Sequence, residues 1–226
     1  MIFHNHSELK GTHAMFSASQ YAWLRYSLDD MIEKYQSSFR KIIGTELHEF
    51  AATQIQLFHK FTSVKSIKEN FETFIYKKYY DEKYETINDF GKKILVHFGY
   101  LPNEVLETLK AYINDAVRYR METEKTLCHS ELFYGTADAI LFRDNFLRIH
   151  DLKTGATPAK MEQLKIYAAL FCLEYDVKPY EIKMELRIYQ NNEVLFYNPE
   201  PQEIRDIMDF IIERNRELEK IVKEVI

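Results

Sequence analysis

Apolar residues recur at helical spacing over the first half of the chain, and the spacing shortens toward alternation near residue 125. The segment SASQYAWLRYSLDDMIEKY reads as a helix start, with Ser17 or Ser19 as its N-cap. A second helix is expected from about Thr45, as cap, to Lys60. Leu47, Phe50, Ala51, Gln54, Ile55 and Phe58 give it one largely apolar face, with His48 nearby. Residues 64–124 read as helical throughout, in three segments. Pro102 breaks the run before the last of them, and Asn103 can cap that last segment.

From Lys125 the chain reads as three short strands, at about 125–134, 136–143 and 146–152. Gly135 and Arg143-Asp144-Asn145 are the connections of the expected antiparallel meander. A helix is expected from about Pro158 to Glu174, then two strands, IKMELRIYQ and EVLFYNP, around Asn191-Asn192. Pro201 opens a final amphipathic helix running to Ile226. The order predicts an α/β sandwich, a mixed central β-sheet flanked by helices, and not a repeated βαβ winding. The reading is one domain over residues 1–226, with a helical insertion at 64–124.

Composition narrows the class further. Hydrophobic residues make up 46% of the chain and aromatics 15%, enough for a sizeable core. Six Gly and five Pro argue against a turn-rich all-β chain. A formal net charge of −5 argues against an architectural DNA binder, so any nucleic-acid claim has to rest on a local site. Cys128 and Cys172 are too few for a disulfide framework and read as reduced thiols. The start MIFHNHSELKG has no apolar run, and no stretch of about 18 apolar residues occurs, so a soluble cytoplasmic protein without a membrane partner is expected.

The sharpest chemical signal is the pair GTADAI, residues 135–140, and HDLKTG, residues 150–155. Asp151 and Lys153 are two apart on an expected strand and so share a face, and a short connection can bring Asp138 opposite Asp151. Two nearby carboxylates repel unless a proton or a cation neutralises them. A hard ion such as Mg²⁺ suits such oxygens and leaves room for water and phosphate. Lys153 beside it can orient or deprotonate the attacking water. Alone, Asp-x-Lys also fits a charged surface strand, but here it follows the apolar residues of LRI. Taken alone, His48 reads first as a core or boundary histidine, though a neutral imidazole is also a good metal ligand. Gln163 and Tyr167, four apart, stack on one helical face as an ordinary polar–aromatic pair or as site support.

Taken in order, a helical His, G-x-x-D, D-x-K-T-G and Q-x-x-x-Y resemble the RecB-like branch of the PD-(D/E)XK nucleases. That branch includes the RecB nuclease domain, Cas4 proteins and many phage exonucleases. The matching stretches are Gly44–Ala51, Gly135–Ile140, His150–Gly155 and Gln163–Tyr167, and SASQ is similar to the start of phage members. The resemblance implies that His48 is an outer metal ligand. It implies that Asp138, Asp151 and the carbonyl of Leu152 hold a Mg²⁺ or Mn²⁺ ion, that Lys153 positions water, and that Gln163 and Tyr167 support the site. Glu131 is a candidate for a second ion position. Unlike Cas4 proteins, the chain has no cysteine set for an iron–sulfur cluster.

The activity so implied is metal-dependent hydrolysis of DNA, single- or double-stranded. It fits an exonuclease of phage or bacterial recombination, repair or replication, acting in a bacterial or phage-infected cell, with a recombination or replication protein as a further partner. The alternatives are an endonuclease for processing or defence, and a silent nuclease fold that binds DNA or protein. The basic–aromatic run YKKYYDEKY, residues 76–84, reads as a solvated helix or as a single-strand contact. His4, His6 and His13 match no metal-site pattern.

Overall fold

The structure, a computed structural model, describes residues 14–155 and 157–225. His4, His6 and His13 lie outside the described residues. The chain divides into two compact units, residues 1–42 and 43–226, where the sequence reading treats it as one domain. In the first unit a 3₁₀ segment, Ala18–Arg25, comes after Ser17, whose carbonyl accepts the Trp23 indole N–H at 2.8 Å. The first long helix, α1, spans Leu28–Gln56. Ser27 and Asp30 form a reciprocal capping box at its start: the Asp30 N–H donates to Ser27 Oγ at 3.1 Å, and the Ser27 N–H donates to Asp30 Oδ2 at 2.8 Å.

Two expectations fail on α1. No break or cap occurs at Thr45, because the helix continues through Gly44. A mid-helix glycine costs about 1 kcal/mol relative to alanine. Here a Cβ on Gly44 would lie 2.9 Å from Thr154 Oγ1, so its absence lets α1 approach the loop that carries Thr154. The apolar face is also shorter than expected. Leu47, Phe50, Ala51 and Ile55 are buried, but the helix ends at Gln56, Phe58 takes φ 54°, and its ring is exposed.

The insertion holds helices α2 (Val64–Lys78), α3 (Asp89–Gly99) and α4 (Asn103–Tyr119). A two-residue-per-strand hairpin, β1 (Tyr80–Asp81) and β2 (Thr86–Ile87), interrupts the all-helical reading. Phe71 packs on Phe50 and Phe98, with ring centroids 5.4 and 4.2 Å apart, so the insertion shares a core with α1. Burying such a side chain stabilises by roughly 1.5–3 kcal/mol.

The five-stranded sheet has the order β3 (Glu122–Ser130), β4 (Phe133–Arg143), β5 (Phe146–Leu152), β6 (Lys183–Gln190) and β7 (Glu193–Tyr197). β5 and β6 are parallel and the other neighbours antiparallel, so the fold is the expected mixed α/β arrangement with flanking helices. Helix α5 (Glu162–Glu174) makes the crossover that a parallel pair requires, and α6 (Pro201–Val225) packs beside it. Their apolar faces meet the sheet through Leu164, Ala168, Ile149, Ile188 and Ile204, all buried. On the α4 side, Arg187 and Tyr189 of β6 both reach Asp115 Oδ2, at 3.0 and 2.8 Å, which ties α4 to the strands that carry the site.

Candidate functional site

The site forms where α1, β3, β4, β5 and α5 converge. The β4–β5 ladder reaches Ala139↔His150, and Asp138 and Asp151 are the next residues outward. The N–H of Leu152 donates to Asp138 Oδ2 at 2.9 Å, which fixes that carboxylate. His48 Nδ1 lies 3.4 Å from the same oxygen. Burial opposes a charge on the imidazole. The hydrogen bond to Asp138 and the charges of Asp138, Asp151 and Glu124 outweigh it, so the His48 pKa is raised.

Asp151 is buried, and its Oδ1 accepts a hydrogen bond from Lys153 Nζ at 2.9 Å. Its Oδ2 is buried with no hydrogen-bond partner among the described residues. Burial first, and Asp138 second, push the Asp151 carboxyl up to about 6, against the pull of Lys153 and His48. Lys153 Nζ also donates to Gln163 Oε1 at 2.9 Å, and Gln163 Nε2 donates to the Tyr167 hydroxyl at 2.9 Å. The Q-x-x-x-Y pair on α5 is thus a chain of hydrogen bonds ending on the lysine. Tyr167 needs Gly135 beneath it: a Cβ there would come within 2.8 Å of the tyrosine ring. The glycine of G-x-x-D and the tyrosine of Q-x-x-x-Y are therefore one packing unit.

The structure brings His48, Asp138, Asp151, Lys153, Gln163 and Tyr167 to one place. At Leu152 the contact to the site is made by the N–H. Glu131 is not brought there. Ser130 pairs with Phe133, so Glu131 and Leu132 form the hairpin turn. Glu131 lies seven residues from the level of the site, about 20 Å along the strand.

The expectation placed the β3–β4 turn at Gly135, which would set Glu131 near Asp138. Gly135 is instead a strand residue paired with Leu127, and the shifted register brings Glu124 level with Asp138, between the pairs Thr123↔Ala139 and Lys125↔Ala137. Glu124 is the residue the sequence reading missed. Reading 103–124 as one helical segment placed it on the wrong element, and no period in the sequence marks it.

Ligand atoms of His48, Glu124 and Asp138 all lie within 4.8 Å of one another. Glu124 has φ 51° in the middle of β3, a left-handed backbone costing on the order of 1 kcal/mol or more for a non-glycine residue. Burial and the Asp138 charge raise its carboxyl pKa, while His48 lowers it. The trio of one imidazole and two carboxylates without a thiolate is a donor set for a hard divalent cation. An open groove of about 450 Å³ runs beside it along α1, lined by His48, Glu49, Ala52, Gln56 and Glu124 among others.

Glycine adopts the Glu124 backbone without penalty, which separates ligation from folding at this position. Glu124→Gly is expected to leave thermal stability unchanged or raised while weakening Mn²⁺ binding, read by calorimetry, roughly tenfold or more. Unchanged Mn²⁺ affinity would remove Glu124 from the cluster's function.

No helix among the described residues is long and apolar enough to cross a membrane. Neither the curated proteins nor the solved structures gave a match to the chain. A family model described as a protein of unknown function, DUF2800, matches residues 13–194, a span that contains every residue of the cluster. With most of its length matched by that model, the chain belongs to the DUF2800 family.

Proposed function

We propose that the chain is a divalent-cation-dependent nuclease of the RecB-like kind that hydrolyses phosphodiester bonds in DNA, acting from an end. The observation that carries this reading is the meeting of four separated sequence stretches around two carboxylates and a lysine. Asp138, Asp151 and Lys153 meet there, His48 is added from α1, and the Gln163–Tyr167 pair backs the lysine. A surface charge pattern would not bury Asp151 to 3% side-chain exposure or leave one of its oxygens without a partner among the described residues. Such an oxygen is costly unless something absent from the protein satisfies it.

The donor set of His48, Glu124 and Asp138 fits Mg²⁺ or Mn²⁺ and would hold it. When bound, such an ion neutralises charge on a phosphate oxygen and makes water a better nucleophile near neutral pH. The chain's own residues do the rest. Leu152 N–H and His48 hold the Asp138 carboxylate in place. Asp151 and Gln163 hold the Lys153 ammonium from two sides, at 2.9 Å each. Lys153 orients the attacking water and offsets charge on the phosphate in the transition state. Tyr167 fixes the Gln163 amide, and so the direction from which Gln163 meets the lysine.

Cleavage is expected to require Mg²⁺ or Mn²⁺, to stop in excess EDTA, and to fall steeply when Ca²⁺ replaces them while DNA binding persists. Linear DNA should be degraded and covalently closed circles spared, because helices α2 to α4 lie beside α1 and have the size to restrict entry. Full activity in EDTA would overturn the cation assignment. Equal cleavage of circles and linear DNA would make the enzyme an endonuclease.

A further inference from the structure

The insertion carries a surface that the proposed chemistry leaves unused. Where α2 ends and the β1–β2 hairpin begins, Tyr76, Tyr80 and Tyr84 are 43%, 44% and 65% exposed. Rings left in water forgo hydrophobic burial, and several on one turn mark a surface built for contact. The Tyr76 and Tyr80 ring centroids lie 5.8 Å apart. The Lys83 ammonium sits 5.0 Å over the Tyr84 ring, and Lys77 is exposed beside Tyr76.

Three acids share this turn. Asp81 is committed to it, its Oδ1 accepting the Lys83 N–H at 2.9 Å, while Glu82 and Glu85 stay exposed. The turn is also tied to α1. Lys78 Nζ donates to Glu46 at 2.8 Å and to Glu49 at 2.5 Å, and the Tyr79 hydroxyl donates to Glu46 at 2.7 Å. Glu49 is the neighbour of His48 and lines the same groove.

We propose that this aromatic hairpin is a stacking platform for a single nucleic-acid strand, which it presents to the groove beside His48. Bases of a single strand offer open faces to tyrosine rings, whereas bases in a duplex are already stacked, and stacking on aromatics tolerates any sequence. Lys77 and Lys83 meet the phosphates between stacked bases. Asp81, Glu82 and Glu85 outnumber these two cations, so stacking dominates and few counterions are released. The salt dependence of binding is therefore shallow, which sets this platform apart from a basic patch. The inference rests on the nuclease reading only for where the strand goes next; the binding itself needs no divalent cation.

The test uses the full chain in EDTA, with a labelled fifteen-nucleotide oligothymidylate and a blunt duplex as probes, monitored by anisotropy over a range of salt. The expected result is preference for the single strand, with a log–log salt slope no steeper than about −2. Replacing Tyr76, Tyr80 and Tyr84 together by Ala should weaken single-strand binding by roughly tenfold per ring, while the all-Phe variant binds like wild type. Tyr80→Trp supplies a direct signal: its fluorescence should be quenched by the oligonucleotide. Circular dichroism of each variant checks folding, and the Trp and Phe variants keep the ring should the Ala variant unfold.

Single-strand affinity within twofold of wild type in a folded triple-Ala variant would overturn the platform. So would equal binding of the blunt duplex, or a self-association that depends on the tyrosines while oligonucleotide affinity does not. Failure of cleavage with intact tyrosine-dependent binding would instead count against the nuclease reading alone.

Discussion

Asp151→Asn is expected to lower DNA cleavage by roughly 10²-fold or more, because it removes the carboxylate that holds the Lys153 ammonium in position, while making the cation-free protein harder to unfold at neutral pH. The second effect comes from burial. In the folded chain the Asp151 carboxyl is pushed up to about 6 from its ordinary 3.8, because it is buried near Asp138. A carboxyl with a raised folded pKa binds its proton more tightly folded than unfolded, so its contribution to stability is present below pH 4 and lost as pH rises to 6. At about 1.4 kcal/mol per pH unit the cost at neutral pH is on the order of 3 kcal/mol.

Asparagine removes that cost, in which the pull of Lys153 is already counted, so a gain on the order of 3 kcal/mol at neutral pH is expected. Urea unfolding of wild type and variant in EDTA reads it. The two should agree near pH 4 and diverge as pH rises to 7. A difference independent of pH would mean that the Asp151 carboxyl does not titrate as its burial implies.

Lys153→Arg separates position from charge. The ammonium sits 2.9 Å from both Asp151 Oδ1 and Gln163 Oε1, with its side chain 30% exposed. Arginine keeps the positive charge but spreads it over a planar fork, moves the donors outward and cannot give up a proton near neutral pH. The pocket between Asp151 and Gln163 is set for one compact group. A misplaced catalytic group loses the advantage of orientation, and about a hundredfold loss in single-turnover cleavage is expected. Lys153→Ala should lose at least as much. DNA binding in Ca²⁺ should change only severalfold in both variants, since His48, Glu124, Asp138 and Asp151 remain. Wild-type turnover in Lys153→Arg would reduce the lysine to an electrostatic anchor.

How much of this was legible in the residues varies by element. The order of the five strands and the presence of α5 between β5 and β6 were legible, because short apolar runs bounded by Gly, Asn and Pro leave few choices, while the bounds of β3, β4 and the start of α5 were not. The same pattern placed Asp151 and Lys153 on one face and Gln163 above Tyr167. The β1–β2 hairpin was not legible, because YKKYYDEKY has neither an alternating period nor a Gly turn, and its αL residue is Glu85. Nor was the register of β3 against β4. Gly135 looks like a turn residue, but it is glycine because the Tyr167 ring lies against its Cα. That one misreading moved the partner of Asp138 from Glu124 to Glu131. The continuity of α1 was hidden because Thr45 reads as a cap, and Gly44 before it is in contact with Thr154 inside one helix. At Gly135 a glycine required by tertiary approach was read as one required by the local backbone.

The proposed reaction is hydrolysis of DNA by this cluster with the help of a divalent cation. The measurement that meets it most directly is digestion of end-labelled linear DNA, single- and double-stranded, by the full chain in Mn²⁺ and in Mg²⁺. Asp138→Ala, purified in the same way, serves as the paired sample. Asp138 is the residue that Leu152 N–H and His48 both hold, and its loss removes the carboxylate that links His48 and Glu124 to Asp151. The expected result is progressive shortening of the labelled strand by wild type in either ion and none by the variant. No cleavage by wild type in either ion, or equal cleavage by both proteins, would contradict it.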